Sequence, residues 1–218
     1  MSNSDFVSKE MIINSIKEKT ADKIFNFPIS VEAIPDVVLD SWKDIFTISD
    51  SKGDFRIGIN SFPKPQMMGF FLESLIARSF EKLDPKTWVL DPTGYAKDVT
   101  NLKNDELSVE IKTSSSKKHI FGNRSYANPG AKSKKGKDSF YLAINFDKFD
   151  KSDIVSGKLT KRPEVTLIRF GYLVHSDWIG QAAQSGQSAT LSLETEEGKL
   201  LELWPNQDPI LRSLKRKK

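Results

Sequence analysis

Between Asp5 and Lys23, Phe6, Ile12, Ile13 and Ile16 fall at helical spacing and predict a first amphipathic helix. Pro28, Pro35 and the turn-forming stretch DSKGD then divide the chain into short pieces that periodicity does not place. Pro65, a favourable opening residue, starts a second helix in which Met68, Phe71, Leu72, Leu75, Ile76, Phe80 and Leu83 form one apolar stripe, a core face. After Asp84 and Pro85 the period changes to two. TWVLDPTG, YAKDVTN and ELSVEIKTS predict three strands, separated by Pro92–Gly94 and by the turn LKND. SFYLAINF and VTLIRFGYLV are apolar on both faces, as buried central strands are. DWIGQAAQSGQSATLS predicts a helix that begins at or just after Asp177 and breaks near Gly186. This order predicts one α/β domain with a mixed central β-sheet flanked by helices. It divides into an N-terminal helix and irregular segment (1–61), a core (62–205) and a basic tail (206–218).

Composition narrows the chemistry. The 218 residues suffice for one full domain, and no stretch approaches the roughly 20 apolar residues of a membrane helix. The first 25 residues mix acids and lysines through their apolar positions, which is wrong for a signal peptide. With no cysteine there can be no disulfide or thiolate metal site, and with only His119 and His175 an imidazole-rich zinc site is not expected. The expected compartment is the cytoplasm. The net charge of +4 is modest, but its distribution is not even. From Lys112 to Lys137 there are eight Lys or Arg and no Asp or Glu, with Phe121, Asn123, Arg124 and Tyr126 interleaved. Such groups hold phosphates and touch base edges. The tail adds Arg212, Lys215, Arg216, Lys217 and Lys218, read first as a solvated basic end.

In ELSVEIKTS, Leu107, Val109 and Ile111 point one way while Ser108, Glu110 and Lys112 point the other. A hairpin centred near Asn104 sets Asp98 opposite Glu110 on the polar face, with Cβ atoms about 4.5–5.5 Å apart. Two carboxylates so close need a cation between them, and Mg²⁺ suits them because it takes one or two protein carboxylates plus water and phosphate. Lys112, one tooth further along, can orient or help deprotonate an attacking water and stabilise the charge of a phosphorane. Together these groups can carry out metal-dependent hydrolysis of a phosphodiester. Acid-x-Lys also occurs at Asp50-Lys52, Asp84-Lys86 and Glu197-Lys199, but in turn-like contexts without a strand.

The D-x11-E-x-K arrangement of Asp98, Glu110 and Lys112 resembles the PD-(D/E)xK nuclease superfamily, which includes most type II restriction endonucleases. GFFLE on the preceding helix resembles that superfamily's acidic helix position and makes Glu73 an outer or second-metal residue by resemblance. DPTGYAKDVTN, VEIKTSSSKKHIFGNRSYA, FYLAINFDKF and LIRFGYLVHSDWIGQAAQSGQSATLS are similar to the ScaI-type restriction endonucleases over about Gly69 to Leu203. That resemblance implies a Mg²⁺-dependent homodimer that cuts both strands of duplex DNA at a short palindrome. Within it Asp98, Glu110 and the Ile111 carbonyl would ligate the metal, with Lys112 as catalytic lysine. The chain departs from the pattern at one position: Lys97, not Pro, precedes the first acid. A cognate methyltransferase is expected in the same cell.

In that setting Lys117, Lys118, Lys132, Lys134, Lys135 and Lys137 would lie along phosphates. Asn123 and Arg124 would read base edges, and Tyr126 would stack or bind phosphate. Gly122 would let backbone approach the duplex. His175, Ser176 and Asp177 read as a structural capping pattern. Other readings are a shape-directed junction-resolving or repair nuclease on the same core, and a DNA-binding module with an inactive one.

Overall fold

The computed structural model describes residues 3–91, 96–127, 137–181 and 188–215. Three helices come first: α1 (Asn3–Phe25), α2 (Ala33–Ile45) and α3 (Pro65–Leu83). Strands β1 (Trp88–Leu90), β2 (Val99–Asn101), β3 (Val109–Ser114), β4 (Gly122–Asn123), β5 (Ser139–Phe146), β6 (Ile154–Val155), β7 (Lys158–Leu159), β8 (Val165–Leu173), β9 (Trp178–Gly180) and β10 (Ser188–Leu191) follow. Helix α4 (Leu193–Lys199), β11 (Leu200–Trp204) and α5 (Pro209–Lys215) complete the described chain. The main sheet has six strands in the order β1-β2-β3-β5-β8-β11; β3 and β5 run parallel and every other pair antiparallel. This is the mixed sheet with flanking helices that the sequence predicts. No helix among the described residues is long and apolar enough to cross a membrane.

The sheet's alternation separates two environments. Val109, Ile111, Phe140, Leu142, Ile144, Ile168 and Phe170 share one core with residues of α1, α2 and α3, including Ile24, Trp42, Leu72 and Phe80. Tyr141, Ala143, Leu173 and Leu200 face the other way, under a smaller sheet of order β4-β10-β9 that contributes Trp178, Ala189 and Leu191. Both faces of β5 are therefore buried along its whole length, as its apolar sequence requires.

Several elements depart from the periodicity reading, each for a local reason. Residues 33–45 form a helix despite Pro35, because Pro35 occupies the first turn, where its missing N–H has no intrahelical partner to lose. Ile34, Val38, Ser41, Trp42 and Ile45 are its buried face, and the Trp42 indole donates to the Pro163 carbonyl at 2.9 Å. In α1 the packed face runs through Thr20, Ala21 and Ile24, while Ile12 is left exposed. Leu83, at the end of the α3 stripe, is exposed too.

Among the described residues after Asp177 the expected helix gives way to β9 and β10, paired Leu191 with Trp178 and Ala189 with Gly180. Trp178, Ala189 and Leu191 turn inward while Ile179 is exposed, the two-residue alternation of paired strands; residues 182–187 of the expected helix lie outside the described residues. Asp177 does cap locally, its carboxylate accepting from the Val174 N–H at 2.8 Å and pairing with Lys199 at 2.6 Å.

Candidate active site

Strands β2 and β3 pair at Val99 and Val109, which places the hairpin centre at Asn104 and brings Asp98 level with Glu110. The ladder stops there, because β2 begins only at Val99. Asp98 fills the gap with its side chain: Oδ2 accepts the Ile111 N–H at 2.7 Å, in place of a ladder carbonyl. A strand residue presents its N–H and C=O to the same edge, so the Ile111 carbonyl points toward Asp98 as well. Lys112 Nζ donates to that carbonyl at 3.2 Å and to Glu110 Oε1 at 2.6 Å. Asp98, Glu110, the Ile111 carbonyl and Lys112 thus converge where β2 leaves the edge of β3.

Glu110 is 2% exposed. Its Oε1 also accepts the hydroxyl proton of Tyr126, so two donors hold one carboxylate oxygen. Burial alone would push the Lys112 ammonium toward neutrality, but the Glu110 carboxylate leads the opposing effects and holds its pKa well above the usual lysine value. Lys112 is therefore an ammonium here. Removing either partner would strand a buried charge.

Glu73 reaches the site from the opposite side of the sheet. Its Oε1 accepts from the Thr113 hydroxyl at 2.8 Å, and Thr113 shares its strand face with Ile111. Burial raises the Glu73 pKa, and the Thr113 bond only partly offsets that. Gly69, one turn earlier on α3, explains how the helix comes so close: a Cβ there would lie 2.5 Å from Thr113 Oγ1.

Among the described residues no group of three His, Cys, Asp or Glu could hold a metal ion. The donors at the edge of β3 are two carboxylates and a peptide carbonyl, all hard oxygens, with substrate and water left to complete a shell. That set fits Mg²⁺ far better than zinc.

The basic segment divides. Lys117, Lys118, Asn123 and Arg124 are exposed, as DNA-contacting groups must be. Lys132, Lys134 and Lys135 lie outside the described residues. Tyr126 is 6% exposed, with its hydroxyl on Glu110 and its ring 5.0 Å from that of Trp178, so it is not placed to stack on a base or meet a phosphate. Gly122 is buried as well: a Cβ would lie 3.0 Å from the Trp178 ring and 3.1 Å from Tyr126, so its smallness serves packing and not approach to DNA.

Asn145, Arg169 and Glu196 were not foreseen from sequence. Asn145 donates to the carbonyls of Ser116 and His119, at 2.8 and 3.1 Å, and Arg169 donates to the Lys118 carbonyl. Glu196 accepts from the Ile120 N–H at 3.3 Å and pairs with His119 at 2.9 Å. Together they pin residues 116–120 to β5, β8 and α4. A signal for two of them was visible: Asn145, near the end of β5, and Arg169, in the middle of β8, are large polar side chains in strands that are otherwise mostly apolar.

The chain matches the family model of the ScaI restriction endonuclease over residues 8–204. It is 39% identical over 186 residues to the type II restriction enzyme ScaI of Streptomyces caespitosus, covering 84% of this chain and 78% of that protein. The match extends well before Gly69, taking in α2 and most of α1. The chain belongs to the ScaI restriction endonuclease family.

Proposed function

We propose that this member of the ScaI restriction endonuclease family cuts double-stranded DNA at a short palindromic sequence by Mg²⁺-dependent hydrolysis of phosphodiester bonds. The observation that carries the reading is the convergence of Asp98, Glu110, the Ile111 carbonyl and Lys112 at one strand edge. Asp98, Glu110 and the Ile111 carbonyl would hold the metal, with Glu73 an outer group acting across the sheet. Bound there, Mg²⁺ supplies Lewis-acid polarisation of the phosphoryl oxygen and makes water easier to deprotonate.

Lys112, charged in this setting, stabilises the negative charge that builds on phosphorus and orients the attacking water; an ammonium is poorly suited to take the proton itself. The water oxygen bonds to phosphorus, one phosphorus–sugar oxygen bond breaks, and phosphate and hydroxyl ends result. Lys117, Lys118, Lys132, Lys134 and Lys135 would grip phosphates, while Asn123 and Arg124 would read base edges. Residues 62–205 form the catalytic core in this reading. A palindrome calls for a two-fold homodimer, and a cytoplasmic enzyme of this kind needs a methyltransferase to protect its host's DNA.

The test is incubation of purified protein with long duplex DNA in Mg²⁺ or EDTA. Discrete, Mg²⁺-dependent fragments are expected, and a smear would favour a shape-directed nuclease. Glu110→Ala should abolish cleavage while leaving a salt-sensitive mobility shift. If that variant still cuts, the site is elsewhere.

A further inference from the structure

Tyr126 stands between the exposed recognition segment and the proposed metal site. Gly122 and Asn123 form β4, and residues Arg124–Ala127 close a single 3₁₀ turn. The turn leaves Asn123 and Arg124 exposed and carries Tyr126 inward. The Tyr126 hydroxyl, buried with its ring, donates to Glu110 Oε1. Lys112 Nζ donates to the same oxygen.

The ring is held on several sides. Trp178 meets it edge-on at 5.0 Å, a contact helped by the missing Cβ of Gly122. Lys137 Nζ lies 3.8 Å from the ring centroid and Lys112 Nζ 5.1 Å. The Lys137 carbonyl is itself fixed, accepting from the Tyr141 hydroxyl at 2.7 Å. Described residues on both sides of 128–136 thus meet at this ring: Tyr126 itself in the turn before them and Lys137 after them.

We infer that Tyr126 is a positioning residue, which fixes the Glu110 carboxylate for the divalent cation through its hydroxyl. The inference rests on the proposed function and deepens it. A carboxylate on a flexible side chain can rotate out of a ligating geometry, and a second donor on one of its oxygens removes that freedom. Hydrogen-bond partners of metal ligands typically contribute about 10–100-fold in metal affinity or activity. Lys112 alone leaves the plane of the carboxylate less constrained, since a single flexible ammonium can follow it.

Tyr126→Phe removes the hydroxyl and keeps the ring that packs on Trp178. Mn²⁺ is the probe, and its binding to the DNA-free protein is followed by water-proton relaxation, beside cleavage over a range of Mg²⁺ concentrations. The expected result is a Mn²⁺ dissociation constant raised about tenfold and a Mg²⁺ midpoint for cleavage raised to match. DNA binding in EDTA should change by less than about twofold, since no phosphate contact is lost.

Glu110→Ala runs in parallel. If it loses Mn²⁺ binding and cleavage while Tyr126→Phe matches wild type in both, the positioning role is overturned and the site stands. If Glu110→Ala also binds Mn²⁺ and cleaves normally, the site reading fails and takes this inference with it. Should Tyr126→Phe not fold by circular dichroism, wild-type protein labelled at tyrosine ¹³Cζ answers instead. One of its four tyrosine resonances should move on Mg²⁺ titration, and four static resonances would overturn the role.

Discussion

Gly69→Ala is the substitution whose outcome the structure specifies most closely, because two effects of opposite sign meet at one atom. In a helix interior Ala is favoured over Gly by about 1 kcal/mol. Against that, the new Cβ would lie 2.5 Å from Thr113 Oγ1, closer than such atoms approach, while Thr113 Cβ at 3.5 Å is in ordinary contact. Rotating the hydroxyl away relieves the clash but breaks its bond to Glu73. A hydrogen bond to a charged acceptor contributes about 1.5–3 kcal/mol, so the net destabilisation should be about 0.5–2 kcal/mol. With Thr113→Ala already present the clashing atom is gone, and adding Gly69→Ala should instead stabilise by up to about 1 kcal/mol. Urea denaturation of wild type, both single variants and the double variant closes the cycle, with an expected coupling of about 1.5–3 kcal/mol. Equal effects of Gly69→Ala in the two backgrounds would refute the close approach of α3 to β3, and with it the route by which Glu73 reaches the site.

Glu73 gives a pH signature. Its folded pKa lies above its unfolded value because of burial, so folding takes up protons between the two and wild-type stability rises as pH falls through that window. Glu73→Gln, uncharged throughout, should be the more stable protein above the window, with the advantage disappearing below it; denaturation from pH 7 to pH 4 would show this. Gly171→Ala places a Cβ 1.7 Å from the Lys199 carbonyl oxygen, a backbone atom that cannot rotate aside, and should cost about 3 kcal/mol or more by thermal or urea unfolding. Lys117→Ala with Lys118→Ala should leave the fold intact, since it is the Lys118 carbonyl and not its side chain that Arg169 holds. If each lysine neutralises one phosphate, the slope of log K against log salt should become about 2 units shallower per protomer; an unchanged slope would place the DNA elsewhere.

What the sequence determined by itself was whatever depends on near neighbours in the chain. The period-two pattern from Val109 onward, with a turn centred at Asn104, was enough to set Asp98 level with Glu110, and the structure has that register. The apolar runs that became β5 and β8 were equally legible, because a strand buried on both faces must be apolar throughout. Helix α2 went unplaced: Ile34, Val38, Trp42 and Ile45 carry its face, but Pro35 reads as a breaker until its place in the first turn is known.

Tertiary structure decided the rest. No local pattern says that Tyr126 turns inward to Glu110 while its neighbours Asn123 and Arg124 stay exposed; that follows from Trp178, fifty-two residues on, filling the space left by Gly122. Nor does local pattern say that residues 178–180 and 188–191 are strands, since short strands gain their stability from partners across the sheet and from the core they cover. Sequence fixes which groups are available along each strand. Which of them share a buried site depends on contacts between distant segments, and those are settled only when the faces they leave must be filled.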